Sequence, residues 1–285
     1  MYWLILSGSA IGVVVFVKFV VVIVVAPGKM STKAKQVATV FYGINFAHRG
    51  LYTEDQSIPE NSLKAFEEAR KAGYGVEIDV QLTKDEKAVV FHDYSVDRVC
   101  GIHAPVNGMD LESLSKLSLF ETEETIPHLK EAMDVLGDTP VIVEIKSAGA
   151  EKNAILCETI LETLRNYGDN WCVESFDPRV VRWFKKNAPD VFRGQLARKP
   201  QDYVGISRML AFCLGNLLTN FISRPHYIAY SNDPCSWTVR LCYLFRPKRA
   251  VWTVKPSDDI KLLEETNDFM IFEHYKPAVR YKDSA

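Results

Sequence analysis

Phe46 to Asp93 reads FAHRGLYTEDQSIPENSLKAFEEARKAGYGVEIDVQLTKDEKAVVFHD, and its alternation of short apolar runs with a helical stretch decides the fold. Asn45–His48, Val76–Gln81 and Ala88–His92 have strand length, while Ser62–Ala72 has helical periodicity behind Asn61, a residue suited to N-capping. The rhythm continues through strand candidates Val141–Lys146, Trp171–Phe176, Phe192–Ala197, Tyr227–Tyr230, Ala250–Val254 and Phe269–Glu273. Helical patterns at Asn153–Asn166 and Asp258–Thr266 lie between them. Such βαβα alternation predicts a parallel sheet with helices outside it. At this length the expected fold class is α/β, a TIM-like (β/α)8 barrel over 45–285. Nine candidates exceed the eight strands a barrel takes, and Tyr227–Tyr230 carries the weakest signal. Val99–Thr125, with Gly101, Pro105 and Gly108, breaks the rhythm as a small insertion (about 99–125) after the third strand.

Outward from the barrel, the N-terminus is of another kind. Tyr2–Ala26 is apolar apart mainly from Ser7, Ser9 and Lys18, long enough at about 1.5 Å per residue to cross a hydrocarbon core of about 30 Å. No basic residue precedes it and Pro27 follows the weak cleavage-like Val24-Val25-Ala26, so residues 1–27 read as an uncleaved transmembrane anchor rather than a signal peptide. Residues 28–44, with Lys29, Lys33 and Lys35, read as a juxtamembrane linker, and those lysines place the barrel on the cytoplasmic side of a single-pass membrane protein. A net charge of −2 gives no reason to expect nucleic acid. Six scattered cysteines without a CxxC pair read as small buried hydrophobes.

Ionisable residues fall at or near the ends of the first five strands: His48-Arg49, Glu77 and Asp79, His92-Asp93, Glu144 and Lys146, and Glu174. In a β/α barrel the C-terminal strand ends meet at one mouth, where catalytic groups gather. Strand periodicity puts Glu77 with Asp79, and Glu144 with Lys146, on one side. Three carboxylates without thiolates suit one hard divalent cation, Mg²⁺ or Ca²⁺. Two histidines suit acid–base work near neutral pH, and Arg49 and Lys146 suit an anionic phosphoryl group. Together they point to displacement at phosphorus.

These residues also carry a resemblance. His48-Arg49-Gly50, Pro59-Glu60-Asn61, Glu77-Ile78-Asp79, His92-Asp93, Glu144-Ile145-Lys146 and Trp252-Thr253-Val254 resemble, in order, the motifs of the glycerophosphodiester phosphodiesterases, from about Phe46 to the C-terminus. The resemblance implies metal ligation by Glu77, Asp79 and Glu144, acid–base catalysis by His48 and His92, and phosphate binding by Arg49 and Lys146. Glu60 would support the arginine, Trp252 would either stack on a ligand or fill the core, and the 99–125 insertion would help cover the glycerol site. The family's T-D-x-P ending departs here to Phe272-Glu273-His274-Tyr275-Lys276-Pro277, which bears on the pocket's shape.

The activity so implied is metal-dependent hydrolysis of a glycerophosphodiester to an alcohol and glycerol 3-phosphate. Attack by water and attack by the glycerol 2-hydroxyl are both open, as is which histidine is acid and which is base. The first alternative is a lysophospholipase D acting on membrane lysolipids; the second is a silent barrel that only binds phosphodiesters. Gly205–Ile222 bears on the former, because it is very apolar and follows the sixth strand. As a packed helix it would be core; beside an anchor it would face lipid and receive an acyl chain. His103, His128, His226 and His274 read as structural or solvated, and Glu174 either joins the metal or pairs with Lys146 or Arg49.

Overall fold

The computed structural model describes residues 19–282. Its strands are β1 (Asn45–His48), β2 (Gly75–Leu82), β3 (Ala88–Val90), β4 (Val141–Ile145), β5 (Trp171–Ser175), β6 (Arg193–Ala197), β7 (Tyr227–Ser231), β8 (Lys248–Val254) and β9 (Phe269–Phe272). β1 pairs in parallel with both β9 and β2, which closes the sheet into a barrel of eight parallel strands. The ninth, β3, is the supernumerary one. It folds back antiparallel on β2, setting Val90 opposite Val80 and Ala88 opposite Leu82. Tyr227–Tyr230, whose strand signal is weakest, instead belongs to the barrel strand β7.

β7 is hard to see in sequence because its tyrosine fills the barrel. Tyr227 is fully buried, and a Cβ on Gly194 of the neighbouring strand would lie 2.1 Å from its ring. Only a glycine leaves that ring its place. Around it Phe46, Phe192 and Phe269 pack the floor, with ring centroids 4.8 Å (Phe192–Tyr227) and 5.2 Å (Tyr227–Phe269) apart.

The stretch expected to be a linker closes this floor. Ser31 caps a helix, Thr32–Phe41, by accepting from the Ala34 amide, and Val37, Ala38 and Phe41 are buried beneath the barrel. Phe41 stacks on Phe46 at 5.2 Å. Its lysines face away, one pairing with Asp169 at 2.8 Å through Lys33. Burying such an aromatic side chain is worth roughly 1.5–3 kcal/mol, so residues 32–41 are part of the barrel's core. Residues 1–18 of the expected anchor lie outside the described residues. Residues 19–25 are helical, and among the described residues no helix is long and apolar enough to cross a membrane.

Two further expectations are revised. The helix after the first strand, Leu63–Ala72, is capped by Ser62, whose Oγ accepts from the Ala65 amide, and Asn61 is left for another role. Within 205–222 the helix Arg208–Gly215 has two faces. Ala211 and Leu217 beyond it are buried, while Met209, Leu210, Phe212 and Phe221 stand in solvent. The insertion after β3 has its own small core of Val96, Val99, Val106, Leu114, Leu119 and Ile126.

Candidate active site

Strand register brings the polar groups together. His48 is level with Glu77, Asp79 with Glu144, and Glu144 with Glu174. On β2 every residue is buried, with Val76, Ile78 and Val80 in the core against the outer helices, so Glu77 and Asp79 must face the barrel interior. Glu77, Asp79 and Glu144 each offer a carboxylate oxygen, and these oxygens lie within 4.8 Å of one another.

The two cations expected to bind phosphate sit on these acids. Lys146 donates to Glu144 Oε1 at 2.5 Å and stands 2.8 Å from Asp79 Oδ1. Arg49 donates its backbone N–H to Glu77 Oε2 (3.1 Å) and its Nη1 to Glu60 Oε1 (2.7 Å), with Nε 3.3 Å from Asp79 Oδ2. Burial works against both charges, but the surrounding carboxylates prevail and raise both pKa values. Arg49 reaches this position through a left-handed backbone, φ 56°, followed by Gly50 at φ 83°, where a Cβ would lie 2.8 Å from that of Ala65. Asn61, also left-handed at φ 55°, donates Nδ2 to Asp79 Oδ2 at 2.8 Å.

The donor set fits a hard divalent cation. Asp79 Oδ1 is fully buried, with the Lys146 ammonium 2.8 Å away. Glu77 is driven well above the usual carboxylate range, first by burial and then by the charges of Asp79 and Glu144. Asp79 moves the other way: burial opposes its charge, but Lys146, the two site histidines and Arg49 overcome that. Three buried carboxylates that repel one another form a site that added positive charge would stabilise.

The histidines flank this cluster, each with one ring nitrogen held by a carboxylate. His48 Nδ1 lies 3.0 Å from Glu273 Oε2, and Nε2 faces Glu77 at 3.9 Å. His92 Nδ1 lies 2.6 Å from Asp93 Oδ1. Assigning the proton to Nδ1 in each pair leaves both Nε2 atoms free. Burial is the main influence on His48 and lowers its pKa.

Strand-end reasoning on the first five strands omits several residues that the structure brings in. Glu273 follows β9 as the other acids follow theirs, and it also accepts from the Tyr52 hydroxyl at 3.2 Å. Burial pushes the Glu273 pKa up, but the hydrogen bond with His48, the charge that His48 and His274 bear when protonated, and the hydrogen bond with Lys255 bring it down to about 2. Arg98, from the insertion, bridges Asp93 (Nε–Oδ2 2.7 Å) and Glu60 (Nη2–Oε1 2.7 Å). Glu60 thus holds two arginines, a supporting place. Glu174 takes neither expected role. It is buried below the cluster, accepts from Tyr227 Oη at 2.9 Å, and is pushed up to about 8 chiefly by burial. Trp252 is half-buried, edge-on to Phe176 at 5.5 Å, and donates Nε1 to the Ala229 carbonyl.

The glycerophosphoryl diester phosphodiesterase family matches residues 48–212. A glycerophosphodiester phosphodiesterase of Caldanaerobacter subterraneus is 34% identical over 160 residues, 53% of this chain and 65% of that protein. A human lysophospholipase D is 32% identical over 142 residues, 45% of this chain and 42% of its own length. The matched stretch therefore spans less than two thirds of either relative. An Oleispira antarctica phosphodiesterase, solved with its product sn-glycerol-3-phosphate, superposes with a TM-score of 0.66 at 21% identity, covering 82% of this chain and 94% of that one. A Thermotoga maritima glycerophosphodiester phosphodiesterase gives 0.59 at 25% identity over 80% and 93%. With the barrel, the ordered motifs and the matched half of the chain in agreement, this protein belongs to the glycerophosphoryl diester phosphodiesterase family.

Proposed function

We propose that the chain hydrolyses glycerophosphodiesters to an alcohol and glycerol 3-phosphate. The observation that carries this reading is the gathering of the Glu77, Asp79 and Glu144 oxygens within 4.8 Å, beside His48. The names of its relatives support the same substrate class. A Mg²⁺ or Ca²⁺ ion held by the three carboxylates would polarise the phosphoryl group. Arg49 and Lys146 orient the phosphate oxygens by charge-assisted hydrogen bonds. His48, kept neutral by burial, takes a proton at Nε2 from the attacking oxygen, that of water or of the glycerol 2-hydroxyl, as that oxygen bonds to phosphorus. The bond from phosphorus to the alcohol oxygen breaks with its electron pair, and His92, entering this step with a proton on Nε2 as well as the one that Asp93 holds on Nδ1, gives that oxygen the Nε2 proton. A cyclic phosphate formed by the 2-hydroxyl is then opened by water with the two proton-transfer roles reversed. A panel of water-soluble glycerophosphodiesters beside lysolipids, with and without chelator, tests the reading; turnover unchanged by metal removal overturns it.

Action on lysolipids as a lysophospholipase D is the second reading. It is favoured by the exposed Met209, Phe212 and Phe221 after β6 and by the human relative's name. A single-pass anchor at Tyr2–Ala26, with the barrel on the cytoplasmic side, is part of the proposal and rests on sequence. An N-terminus at Pro27 in the purified protein removes the anchor. Labelling of a barrel cysteine by an impermeant thiol reagent in intact cells reverses the side.

A further inference from the structure

One wall of the barrel differs from the rest in both charge and polarity. From Tyr203 to Ala250 there is one acidic residue, Asp233, against Arg208, Arg224, Arg240, Arg246, Lys248 and Arg249, in a protein of net charge −2. On that stretch large apolar side chains stand in water: Met209 is 73% exposed, Phe212 51%, Trp237 62% and Leu244 76%. Single exposed apolar residues are ordinary, but such a group with almost no carboxylate among it is not.

The helical stretch 19–25 lies on this same wall. Val21 and Val25 join the cluster of Leu217, Ile228, Tyr230, Val239 and Cys242. Its end is held by Asn220 Nδ2 on the Val25 carbonyl (2.9 Å) and Arg224 Nη1 on that of Ala26 (2.7 Å). Its outer side shows Phe19 and Ile23 to solvent, and the sequence before it, Tyr2–Lys18, is apolar apart from Ser7, Ser9, two glycines and Lys18.

We propose that this wall, carried by helices Arg208–Gly215, Asn220–Ser223 and Trp237–Tyr243, is a docking surface for the face of an anionic lipid bilayer. Met209, Phe212, Phe221 and Trp237 enter the boundary between headgroups and acyl chains, while Arg208, Arg240 and Arg246, all exposed, meet the headgroup phosphates. The contact is made by the folded domain itself, in addition to any anchor. It holds whatever the barrel hydrolyses, and it rests on the anchor reading only for bringing the wall to the bilayer.

The test uses the full chain in vesicles of phosphatidylcholine and phosphatidylserine with brominated acyl chains, which quench tryptophan on contact. In a Trp3→Phe background the expected result is clear quenching that is mostly lost on adding Trp237→Phe. Met209→Ser, Phe212→Ser and Phe221→Ser together, all at exposed positions, should reduce the Trp237 signal with unchanged circular dichroism. Leaving out phosphatidylserine should weaken it, and equal quenching on neutral vesicles overturns the part assigned to the arginines. If Trp3 is quenched in the natural chain and Trp237 is not, the anchor stands and the docking surface falls. That includes the case in which the chain's own N-terminal residues cover the wall. If neither is quenched, both readings fall.

Discussion

Glu273 Oε2 lies 3.0 Å from His48 Nδ1, so the last strand of the barrel holds the histidine that ends the first, the proposed base. The two strands are neighbours only because the sheet closes, and the carboxylate follows β9 just where His48 ends β1. Glu273 acts through His48, fixing its ring and tautomer, and is a positioning residue. Glu273→Gln keeps the shape and removes the charge. It should lower kcat by about 10- to 100-fold, the usual effect of losing a partner that orients a functional histidine. KM should change little, and the pH–rate profile should shift on the limb set by His48. An unchanged profile with equal loss in kcat and stability would mark Glu273 as merely structural.

The same pair makes stability pH-dependent. With its pKa held near 2 in the fold, against an ordinary 4.5, Glu273 binds fewer protons folded than unfolded. It therefore contributes fully above about pH 4.5, and the contribution is lost as pH falls towards 2. With the carboxylate partly solvated and His48 kept neutral by burial, the size at neutral pH is about 1 kcal/mol, to order of magnitude. Denaturant unfolding of the natural chain and of Glu273→Gln should differ at pH 7 and converge near pH 2.5.

Chelation should abolish turnover, and Mg²⁺ or Ca²⁺ should restore it. Glu144→Gln should raise the metal concentration needed for half-maximal activity. Because Glu77, Asp79 and Glu144 repel one another when buried, bound metal should also raise the unfolding temperature. Unfolding that is indifferent to metal would count against this ligand set.

His48→Ala and His92→Ala should each lose about 10² to 10⁴ in rate. The two differ in rescue. A p-nitrophenyl phosphodiester has a leaving group that needs no proton, so it should recover much of the activity of His92→Ala and little of that of His48→Ala. The opposite pattern would exchange the acid and base assignments.

Most of the site is legible in the sequence because strand geometry gives few choices. A charged residue two positions from another along a strand, as in Glu77 and Asp79 or Glu144 and Lys146, must share its side, and here that side faces the barrel interior. Glu273 obeys the same logic after Phe269–Phe272, and it is legible once all the strand ends are read, not only the first five. Tyr52 and Arg98 are another matter. Tyr52 comes from a loop and Arg98 from the one-turn helix Asp97–Cys100, both placed by contacts far off in sequence, such as Arg98 with Glu60, and no period announces them. In the fold, β3 resembles a barrel strand because apolar content does not distinguish an antiparallel flap from a parallel stave. Tyr227–Tyr230 looks weak because its polar-ended ring fills the barrel over Gly194. The lysines of 28–44 suggest a solvated linker, yet Val37, Ala38 and Phe41 share one helical face, and that face packs under the barrel.

Leu217 and Phe212 separate packing from exposure within one apolar stretch. Leu217 is fully buried against Ile228 and Tyr230, and Leu217→Ala should cost about 2–5 kcal/mol in denaturant unfolding. Phe212→Ser lies on the exposed face and should stay within about 0.5 kcal/mol. Similar losses at both positions would mean that the whole stretch is core.

The helix Thr32–Phe41 also settles how much slack the N-terminus has. The helical stretch 19–25 is pinned to the wall at Asn220 and Arg224, and Ser31 already caps the next helix, so hardly more than Pro27 to Met30 lies between two fixed points. Even there the Gly28 amide is taken by the Pro225 carbonyl at 2.7 Å. The domain is strapped to whatever precedes it, without a swivel. A tension applied at the N-terminus would pass into the stacked Phe41 and Phe46 within a few residues. A shortened chain that starts at Asn45, where the strands begin, would lift the lid off an aromatic floor and leave Phe46, Phe192 and Phe269 facing water.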